Sequence, residues 1–180
     1  MKLDTPFKIL DIHPDPDLIN FNFDLITDWS DFLAKSLPQV FGQIYTFSVL
    51  RLDMKHWGDP ANHLPEHIHS DHPVFPLLMR VVRQLENYYN ATVKIAALDG
   101  MPPGSKINRH FDQSNIYGLC HRVHLPLVTD PSVKFFIDDV PHFFKAGEFF
   151  EFDNKRFHEV HNDSDIFRIH LVIDLLPNNL

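Results

Sequence analysis

The sequence is poor in cysteine. Cys120 is its only thiol, so no disulfide forms within the chain, and such cysteine usage is typical of a reducing compartment. The first ten residues lack the unbroken apolar stretch of a secretory signal. No segment approaches the roughly 18 apolar residues that would span a bilayer. These absences predict a cytoplasmic protein with no membrane partner.

Positive charge is also scarce. The chain has 16 Lys and Arg residues against 24 Asp and Glu residues, which gives a formal net charge of −8 at pH 7. This balance disfavours a nucleic-acid partner, because charge-driven binding to phosphates needs a basic surface. The sequence also lacks internal repeats and low-complexity tracts. Its 180 residues suit one core and are too few for two, so we expect a single domain over residues 1–180.

Apolar and aromatic residues are plentiful. Hydrophobic residues make up 44% of the chain, and 17 Phe residues are among them, which argues for a packed core and against disorder. The chain also has 14 prolines, which favour a loop-rich β architecture because helix interiors tolerate proline badly. The 13 histidines make a metal site worth examining.

Two segments have helical periodicity. Residues 28–37 carry apolar side chains at helical spacing and end at Pro38, which predicts a short helix. Residues 74–89 show the stronger pattern, with one broad apolar face. Between them, residues 44–52 have the pattern of a strand. Residues 56–73 contain five histidines and predict an exposed loop, which is a second metal site, a substrate lip or solvated surface.

From residue 91 onward the pattern changes to short β-rich runs separated by turn residues. The runs cover residues 92–98, 115–128, 133–137, 149–152, 157–160 and 167–175. Helices followed by many short strands predict a mainly β protein with flanking α. We expect an antiparallel sandwich or jelly roll with the helices packed on one outer face.

A two-histidine, one-carboxylate iron site needs three ligands on one side of the metal. His110 and Asp112 are two residues apart on a predicted strand and point to the same side, and His158 is the candidate third ligand. The His-x-Asp pattern occurs four times in the sequence, against about 1.4 expected by chance, so spacing alone does not choose among the four. The context of His110, after a Pro-Pro-Gly turn and between β-rich runs, favours that pair.

Two strands alternate between apolar and polar residues. In residues 122–127, Arg122 and His124 share the polar face, and the run from Arg168 to Asp174 repeats the pattern. Both polar faces are solvated in a plain sandwich. Alternatively, they line a lumen while the helix over residues 74–89 covers the apolar faces. An arginine in such a lumen would be a bidentate receptor for a carboxylate.

Several short motifs of residues 104–177 occur in one order. They are Pro103-Gly104, His110-Phe111-Asp112, residues 122–127, Gly147-Glu148 before Phe152-Asp153, residues 158–164, and residues 168–174. This order resembles the catalytic region of the aspartyl/asparaginyl β-hydroxylase family, a branch of the Fe(II)- and 2-oxoglutarate-dependent oxygenases with a double-stranded β-helix (cupin-like jelly-roll) fold. The family's polar residue upstream of the first histidine has no clear match around residues 97–100.

The resemblance implies roles for single residues. His110, Asp112 and His158 would ligate Fe(II). Arg168 would pair with the far carboxylate of 2-oxoglutarate, and Arg122 and His124 would line the pocket near the metal-bound end of this cosubstrate. Residues 91–180 would form the metal-binding β-helix core, and residues 1–90 an N-terminal helical part that selects the substrate.

By the same resemblance, the protein would be a 2-oxoglutarate-dependent dioxygenase. It would use O2 to hydroxylate an amino acid or a peptide-type substrate, and it would release succinate and CO2. Two alternatives stay open at this point. One is a cupin-type metal-dependent isomerase or hydrolase, and the other is a non-catalytic ligand-binding jelly roll. The sequence does not identify the substrate, the hydroxylated carbon or the oligomeric state.

Overall fold

The structure is a computed structural model that describes residues 3–112 and 115–180. Its helices are α1 (Pro16–Ile19), α2 (Phe32–Ser36), α3 (Pro38–Phe41), α4 (Phe75–Tyr89) and α5 (Asn115–Leu119). Its strands are β1 (Phe7–Ile9), β2 (Tyr45–Arg51), β3 (Glu66–His67), β4 (Ala91–Met101), β5 (Lys106–His110), β6 (His121–Val128), β7 (Val133–Ile137), β8 (Val140–His142), β9 (Phe150–Phe152), β10 (His158–Asn162) and β11 (Arg168–Pro177). No helix in this described part has the length and apolarity needed to cross a bilayer.

The strands form two sheets in which every pairing is antiparallel. The larger sheet has the order β1-β9-β6-β11-β4-β2-β3, and the smaller has the order β5-β10-β7-β8. Neighbouring strands are mostly distant in sequence, as in a jelly roll. The predicted class, a mainly β double-stranded β-helix with helices on one sheet, is confirmed.

Helix α4 covers the outer face of the larger sheet. Its buried residues Leu78, Val81, Val82 and Leu85 pack with apolar side chains of β4, β6 and β11 in one core cluster. The helix starts with Pro76 in its first turn and ends at Asn90, which takes a left-handed conformation with φ 47°. The helical periodicity of residues 74–89 therefore predicts both the element and its buried face correctly.

The alternation in β6 and β11 sorts their side chains between two environments. Val123 and Leu125 join the core beneath α4, as does Leu171. The polar residues of the same strands point the other way, towards the smaller sheet. Apolar side chains of both sheets, such as Phe135 of β7 and Phe152 of β9, form a second core cluster there. The polar faces therefore line the interior between the two sheets and are not solvated.

Two sequence predictions differ from the structure. Residues 28–37 are helical only over Phe32–Ser36, because Ser30 exchanges both backbone hydrogen bonds with Thr46 and extends the preceding chain. The predicted strand over residues 115–128 begins instead with helix α5, and only β6 is extended. Cys120 is buried where α5 meets β6, so it does not lie within a strand.

Residues before 91 contribute more than helices. Strands β1 and β2 join the larger sheet, where β1 pairs with β9 and β2 with β4. Glu151 on β9 is 1% exposed and accepts hydrogen bonds from Tyr89 Oη and His121 Nδ1, each at 2.7 Å, while Lys8 Nζ lies 2.8 Å away. Burial raises the pKa of Glu151, but these donors outweigh it and hold that pKa below its ordinary value. The buried carboxylate thus joins β1, β6 and α4.

Candidate active site

His110 and His158 lie directly opposite each other in the smaller sheet. The register of β5 and β10 pairs these two residues, and their ring centroids are 4.2 Å apart. The register shifts immediately after His158, between His158 and Val160. Such irregularities re-aim side chains next to sites. Backbone pairing thus brings together two histidines that are 48 positions apart in the sequence.

The backbone fixes which nitrogen of each histidine is free. His110 Nδ1 lies 2.7 Å from the carbonyl oxygen of Asn108, and His158 Nδ1 lies 3.0 Å from that of Arg156. A carbonyl oxygen only accepts, so each Nδ1 carries a proton, and Nε2 is the nitrogen left to face a metal. Burial lowers the pKa of His158 to about 4, so this ring is neutral at pH 7. A neutral imidazole with a free Nε2 is the form that binds metals.

Asp112 lies beyond β5, which ends at His110, so the prediction that both residues share one strand was wrong. A loop on the far side of the site holds Asp112 in place. Its backbone N–H donates to the carbonyl oxygen of Asn154 at 3.0 Å. Its Oδ2 accepts hydrogen bonds from Arg122 at 2.6 Å and from the Asn154 amide at 3.1 Å, while Oδ1 lies 3.8 Å from His110 Nε2. One carboxylate oxygen is thus occupied by donors, and the other faces the histidines.

Ligand atoms of His110, Asp112 and His158 all lie within 4.8 Å of one another. Two imidazole nitrogens and one carboxylate oxygen match the donor set of non-haem Fe(II) oxygenases, which leave the opposite side of the metal open. The outer hydrogen bonds to Nδ1 and Oδ2 match the support that metal ligands require. Within residues 3–112 and 115–180, this is the only group of three or more such side chains arranged to hold a metal ion. The residues therefore fit Fe(II).

Arg122 is clamped between two carboxylates. Its Nε and one terminal nitrogen donate to Asp174 at 2.8 and 2.7 Å, and the other terminal nitrogen donates to Asp112. Its guanidinium also lies 4.2 Å from the centre of the Tyr117 ring. Burial lowers the pKa of Arg122, but the two carboxylates outweigh it and raise that pKa. Arg122 lines the cavity, and it also orients the candidate iron ligand Asp112.

The cavity between the sheets contains two polar side chains with unused hydrogen-bonding capacity. Arg168 is 1% exposed, and its Nε has no hydrogen-bond partner among the residues that the structure describes. His124 is also buried, and neither of its ring nitrogens has a partner among those residues. Both residues line the same cavity as His110 and His158. Because buried polar groups are normally paired, these unpaired groups suit a polar ligand such as 2-oxoglutarate.

Burial also sets the charge of these two residues. Burial and the nearby arginines lower the pKa of His124, which stays neutral. Burial lowers the pKa of Arg168 to about 9, against the opposing effect of Asp99, so Arg168 remains a cation at pH 7. The cavity thus presents a neutral imidazole and one buried guanidinium.

A close packing arrangement lies behind Arg168. Gly100 on β4 faces the ring of Phe167, and a Cβ added to Gly100 would lie 2.4 Å from a carbon of that ring. Trp29 packs on the same ring with centroids 5.4 Å apart. Any larger residue at position 100 would therefore displace Phe167, the neighbour of Arg168.

Several residues of the site were missed by the sequence predictions. Asp99 lines the cavity and accepts a hydrogen bond from Thr46 Oγ1 at 3.1 Å. Asp174 and Asn154 hold Arg122 and Asp112. Asp99 lies just beyond the predicted strand over residues 92–98, and no local signal in the sequence separates its position in the cavity from a solvated one.

The other histidines of the sequence have separate contacts. His69 Nδ1 lies 2.8 Å from the carbonyl oxygen of Ser48, and the rings of His56 and His63 stack at 3.5 Å. His161 Nε2 lies 3.5 Å from Glu159. In the described part of the chain, the histidines of residues 56–73 form no three-residue metal cluster.

A family model described as aspartyl/asparaginyl beta-hydroxylase matches residues 50–177. This match covers more than half of the chain and includes every residue of the candidate site named from the sequence. A search of curated proteins found no match.

Solved structures share the fold at low sequence identity. The viral collagen prolyl hydroxylase of Paramecium Bursaria Chlorella virus-1, in its 2OG complex, has a TM-score of 0.58 and 10% identity, covering 96% of each chain. A 2OG-Fe(II) oxygenase family protein of Burkholderia pseudomallei has a TM-score of 0.54 and 17% identity, covering 74% of this chain and 68% of its own. A Pseudomonas putida prolyl-4-hydroxylase has a TM-score of 0.51 and 15% identity, covering 96% of this chain and 92% of its own. With the family match, these findings lead to one conclusion: the chain belongs to the aspartyl/asparaginyl β-hydroxylase family.

Proposed function

We propose that the protein is an Fe(II)- and 2-oxoglutarate-dependent dioxygenase that hydroxylates an amino acid or a peptide-type substrate. One observation carries the proposal. The ligand atoms of His110, Asp112 and His158 converge within 4.8 Å, in the same cavity that holds the buried and partly unpaired Arg168. A metal site beside a carboxylate receptor is the pair of features that this chemistry needs.

When bound, Fe(II) and 2-oxoglutarate together supply the oxidising power to place one atom of O2 into a C–H bond, with release of succinate and CO2. The chain's own part is positioning. His110 and His158 would hold the metal by their Nε2 atoms and Asp112 by Oδ1, since these ligand atoms converge within 4.8 Å. Arg168 would orient the far carboxylate of the cosubstrate by charge-assisted hydrogen bonds.

In this assignment, Arg122 and His124 line the cavity near the metal-bound end of the cosubstrate. His124 is neutral and unpaired, so it is suited to a hydrogen bond with the cosubstrate near its metal-bound end. Arg122 contributes positive charge to the same region while it holds Asp112. The buried Asp174 keeps the Arg122 guanidinium fixed.

We also propose that residues 1–180 act as a single oxygenase domain. Residues 91–180 carry the metal and cosubstrate sites, and residues 1–90 contribute substrate selection. Phe41 and Ile44 from the earlier part line the same cavity, which supports a role for that part at the site. The single cysteine supports a cytoplasmic location.

The two alternative functions require different features of the cavity. They are a cupin-type isomerase or hydrolase and a non-catalytic jelly roll. A non-catalytic ligand-binding domain would use the buried Arg168 for its ligand, but it has no need for three converging metal ligands in the same cavity. An isomerase or hydrolase has no need for a dicarboxylate receptor. Iron-dependent formation of succinate from 2-oxoglutarate separates the proposed oxygenase from both.

The test is a screen of amino acids and peptides for substrate-stimulated succinate formation by the Fe(II)-loaded protein. We expect at least one aspartyl, asparaginyl or related substrate to stimulate succinate release and to gain one oxygen atom by mass spectrometry. His158→Ala should lose iron binding and turnover together, whereas His69→Ala should keep both. Succinate formation that is unchanged in His158→Ala would contradict the assignment of the site.

A further inference from the structure

Asp99 places a carboxyl group on the wall of the cosubstrate cavity. It lies on the inner face of β4, opposite Thr46 on β2 and opposite His170 on β11. Thr46 Oγ1 donates to Asp99 Oδ1 at 3.1 Å, which is the one hydrogen bond that the described residues give this carboxyl group. Arg168 lies diagonally across the β4–β11 pair, within reach of long side chains. Asp99 and Arg168 therefore face the same ligand volume.

The cavity has little positive charge to share between two carboxylates. Arg122 is already paired with Asp112 and Asp174. Arg168 is thus the one guanidinium in the described cavity that is not held by a carboxylate within hydrogen-bond distance. A dicarboxylate whose far end binds Arg168 would bring a second negative charge next to Asp99. Two neighbouring carboxylates in a buried site do not both stay ionised.

We propose that Asp99 takes up one proton from solvent when 2-oxoglutarate binds, and then donates a hydrogen bond to the far carboxylate beside Arg168. The inference rests on the proposed function, because it assumes that Arg168 receives this carboxylate. A neutral carboxyl group next to a carboxylate forms a short O–H···O⁻ hydrogen bond, which is stronger than one between neutral groups. Asp99 thus changes from a competitor for Arg168 into a second partner of the ligand.

The surroundings of Asp99 make this protonation accessible near neutral pH. Burial raises the pKa of Asp99 to about 6, against the opposing effects of Arg168, Thr46 and Arg122. The titratable and charged groups that line the cavity beside Asp99 are Arg168 from β11, Arg122 and His124 from β6, and His110 and His158 from the smaller sheet. From β11, His170 also pairs with Asp99 across the strands, and the charge of Asp174 acts on it. Burial keeps His124, His158 and His170 neutral. These histidines therefore add no positive charge that could balance the bound carboxylate in place of a proton on Asp99.

The consequence is an affinity for 2-oxoglutarate that falls as the pH rises. Above the pKa of free Asp99, each pH unit should weaken binding by up to tenfold, because one proton must be gained. Asp99→Asn carries a permanent amide donor of the same shape. It should bind 2-oxoglutarate at least as tightly as the wild type at pH 8. Its affinity should also lack the part of the pH dependence that comes from protonation of Asp99.

Calorimetry measures the proton directly. We would titrate 2-oxoglutarate into Mn(II)-loaded protein at pH 7.5, in two buffers with different ionisation enthalpies, and obtain the number of protons taken up from the difference in heat. We expect the wild type to take up close to one proton more than Asp99→Asn. The probe 2-oxopentanoate lacks the far carboxylate, so wild type and variant should take up the same number of protons with it.

The comparison with Asp99→Asn cancels any titration of the metal ligands, because both proteins contain them. Asp99→Ser, which also cannot titrate, repeats the test should the amide perturb folding, and Asp139→Asn removes an exposed carboxylate as a matched control. Binding with equal proton uptake in the wild type and both Asp99 variants would overturn the inference and leave the proposed function standing. A wild type that binds no 2-oxoglutarate would overturn both.

Discussion

At the scale of single residues, Asp112 uses its two carboxylate oxygens for different purposes. Oδ2 is occupied by Arg122 and Asn154, and Oδ1 faces the histidines. Donors on one oxygen restrict rotation of the carboxylate, so a metal would meet a single oxygen in a fixed position. The position of that oxygen depends on Asp174, which touches no candidate ligand directly but fixes Arg122.

Asp174→Asn tests this indirect support. The variant loses one of the two oxygens that hold Arg122, so we expect iron affinity to fall about 10–100-fold. Competition with a chelator measures the affinity, and thermal melting of the metal-free protein shows separately how much stability is lost. Asp138→Asn removes an exposed partner of Arg156 and should leave iron affinity unchanged. Equal iron affinity in wild type and Asp174→Asn would show that Asp112 alone is enough to keep Arg122 in position.

Arg168 should govern the cosubstrate and not the metal. Loss of one partner from a buried charge pair costs about 3–5 kcal/mol, so Arg168→Ala should weaken 2-oxoglutarate binding on the order of 10²–10³-fold. Arg168→Lys should weaken it less, because an ammonium group keeps the charge without the two-pronged geometry. Anaerobic titration of the iron-loaded proteins measures both. Arg80→Ala, on the outer helix, is the control, and matched affinities in Arg168→Ala and wild type would remove Arg168 from the site.

The site residues that could be predicted from the sequence are those with a recognisable spacing, alternation or family motif. Spacing and context pointed to His110 and Asp112, with His158 as the candidate third ligand. Strand alternation placed Arg168 on a polar face, and the family resemblance supplied its role toward the cosubstrate. Asp99 and the role of Asp174 in holding Arg122 were out of reach, because an isolated acidic residue in a strand has no local signal that distinguishes a cavity from solvent. Their roles depend on which strands become neighbours, and that is decided by long-range pairing.

At the scale of elements, α4 contributes to the site without touching it. It shields the outer face of the larger sheet, whose inner face carries Arg168 and His124. Leu85 is fully buried in this interface. The helix therefore holds the strands that carry the cavity residues.

Leu85→Ala should lower the free energy of unfolding by about 2–5 kcal/mol, because it removes buried contacts and leaves a cavity. Asn87→Ala, at an exposed position of the same helix, should change it by no more than about 0.5 kcal/mol. Urea denaturation followed by circular dichroism measures both variants. A loss below about 1 kcal/mol in Leu85→Ala would mean that α4 does not hold the sheet.

Elements with strong internal periodicity could be predicted, and those defined by partners could not. Residues 74–89 and 133–137 match α4 and β7 closely because the pattern is complete within the segment. Strand β1 was missed because its three residues become a strand only by pairing with β9. Helix α5 was mistaken for strand because Ile116 and Tyr117 favour β structure in isolation.

At the scale of the whole molecule, three buried histidines couple folding to pH. Burial lowers the pKa of His158 to about 4 and holds those of His124 and His170 well below 6.5. Below pH 6.5 the unfolded chain binds protons at these histidines while the folded chain does not. The histidines therefore destabilise the fold increasingly as the pH falls from 6.5 towards 4.

We expect the free energy of unfolding of the metal-free protein to fall by up to about 1.4 kcal/mol per pH unit for each of these histidines below pH 6.5. Urea denaturation at pH 7.5, 6.5 and 5.5 with a chelator present measures the slope. Asp99 changes the free energy of unfolding in the opposite direction, because its raised pKa favours the folded state as the pH falls. It therefore offsets part of the stability that the histidines remove. Stability that does not change between pH 6.5 and 5.5 would contradict the burial of neutral histidines.

The contact of Trp29 with Phe167, packed over Gly100, gives the molecule a built-in optical reporter. The chain has only two tryptophans, and Trp29 rests on the ring that immediately precedes Arg168 in the sequence. A ligand that orders Arg168 changes the surroundings of this indole, while Trp57 belongs to a separate cluster with Leu52 and Tyr117. Trp57→Phe would leave Trp29 as the single emitter, so that its fluorescence follows occupation of the cavity without any added dye.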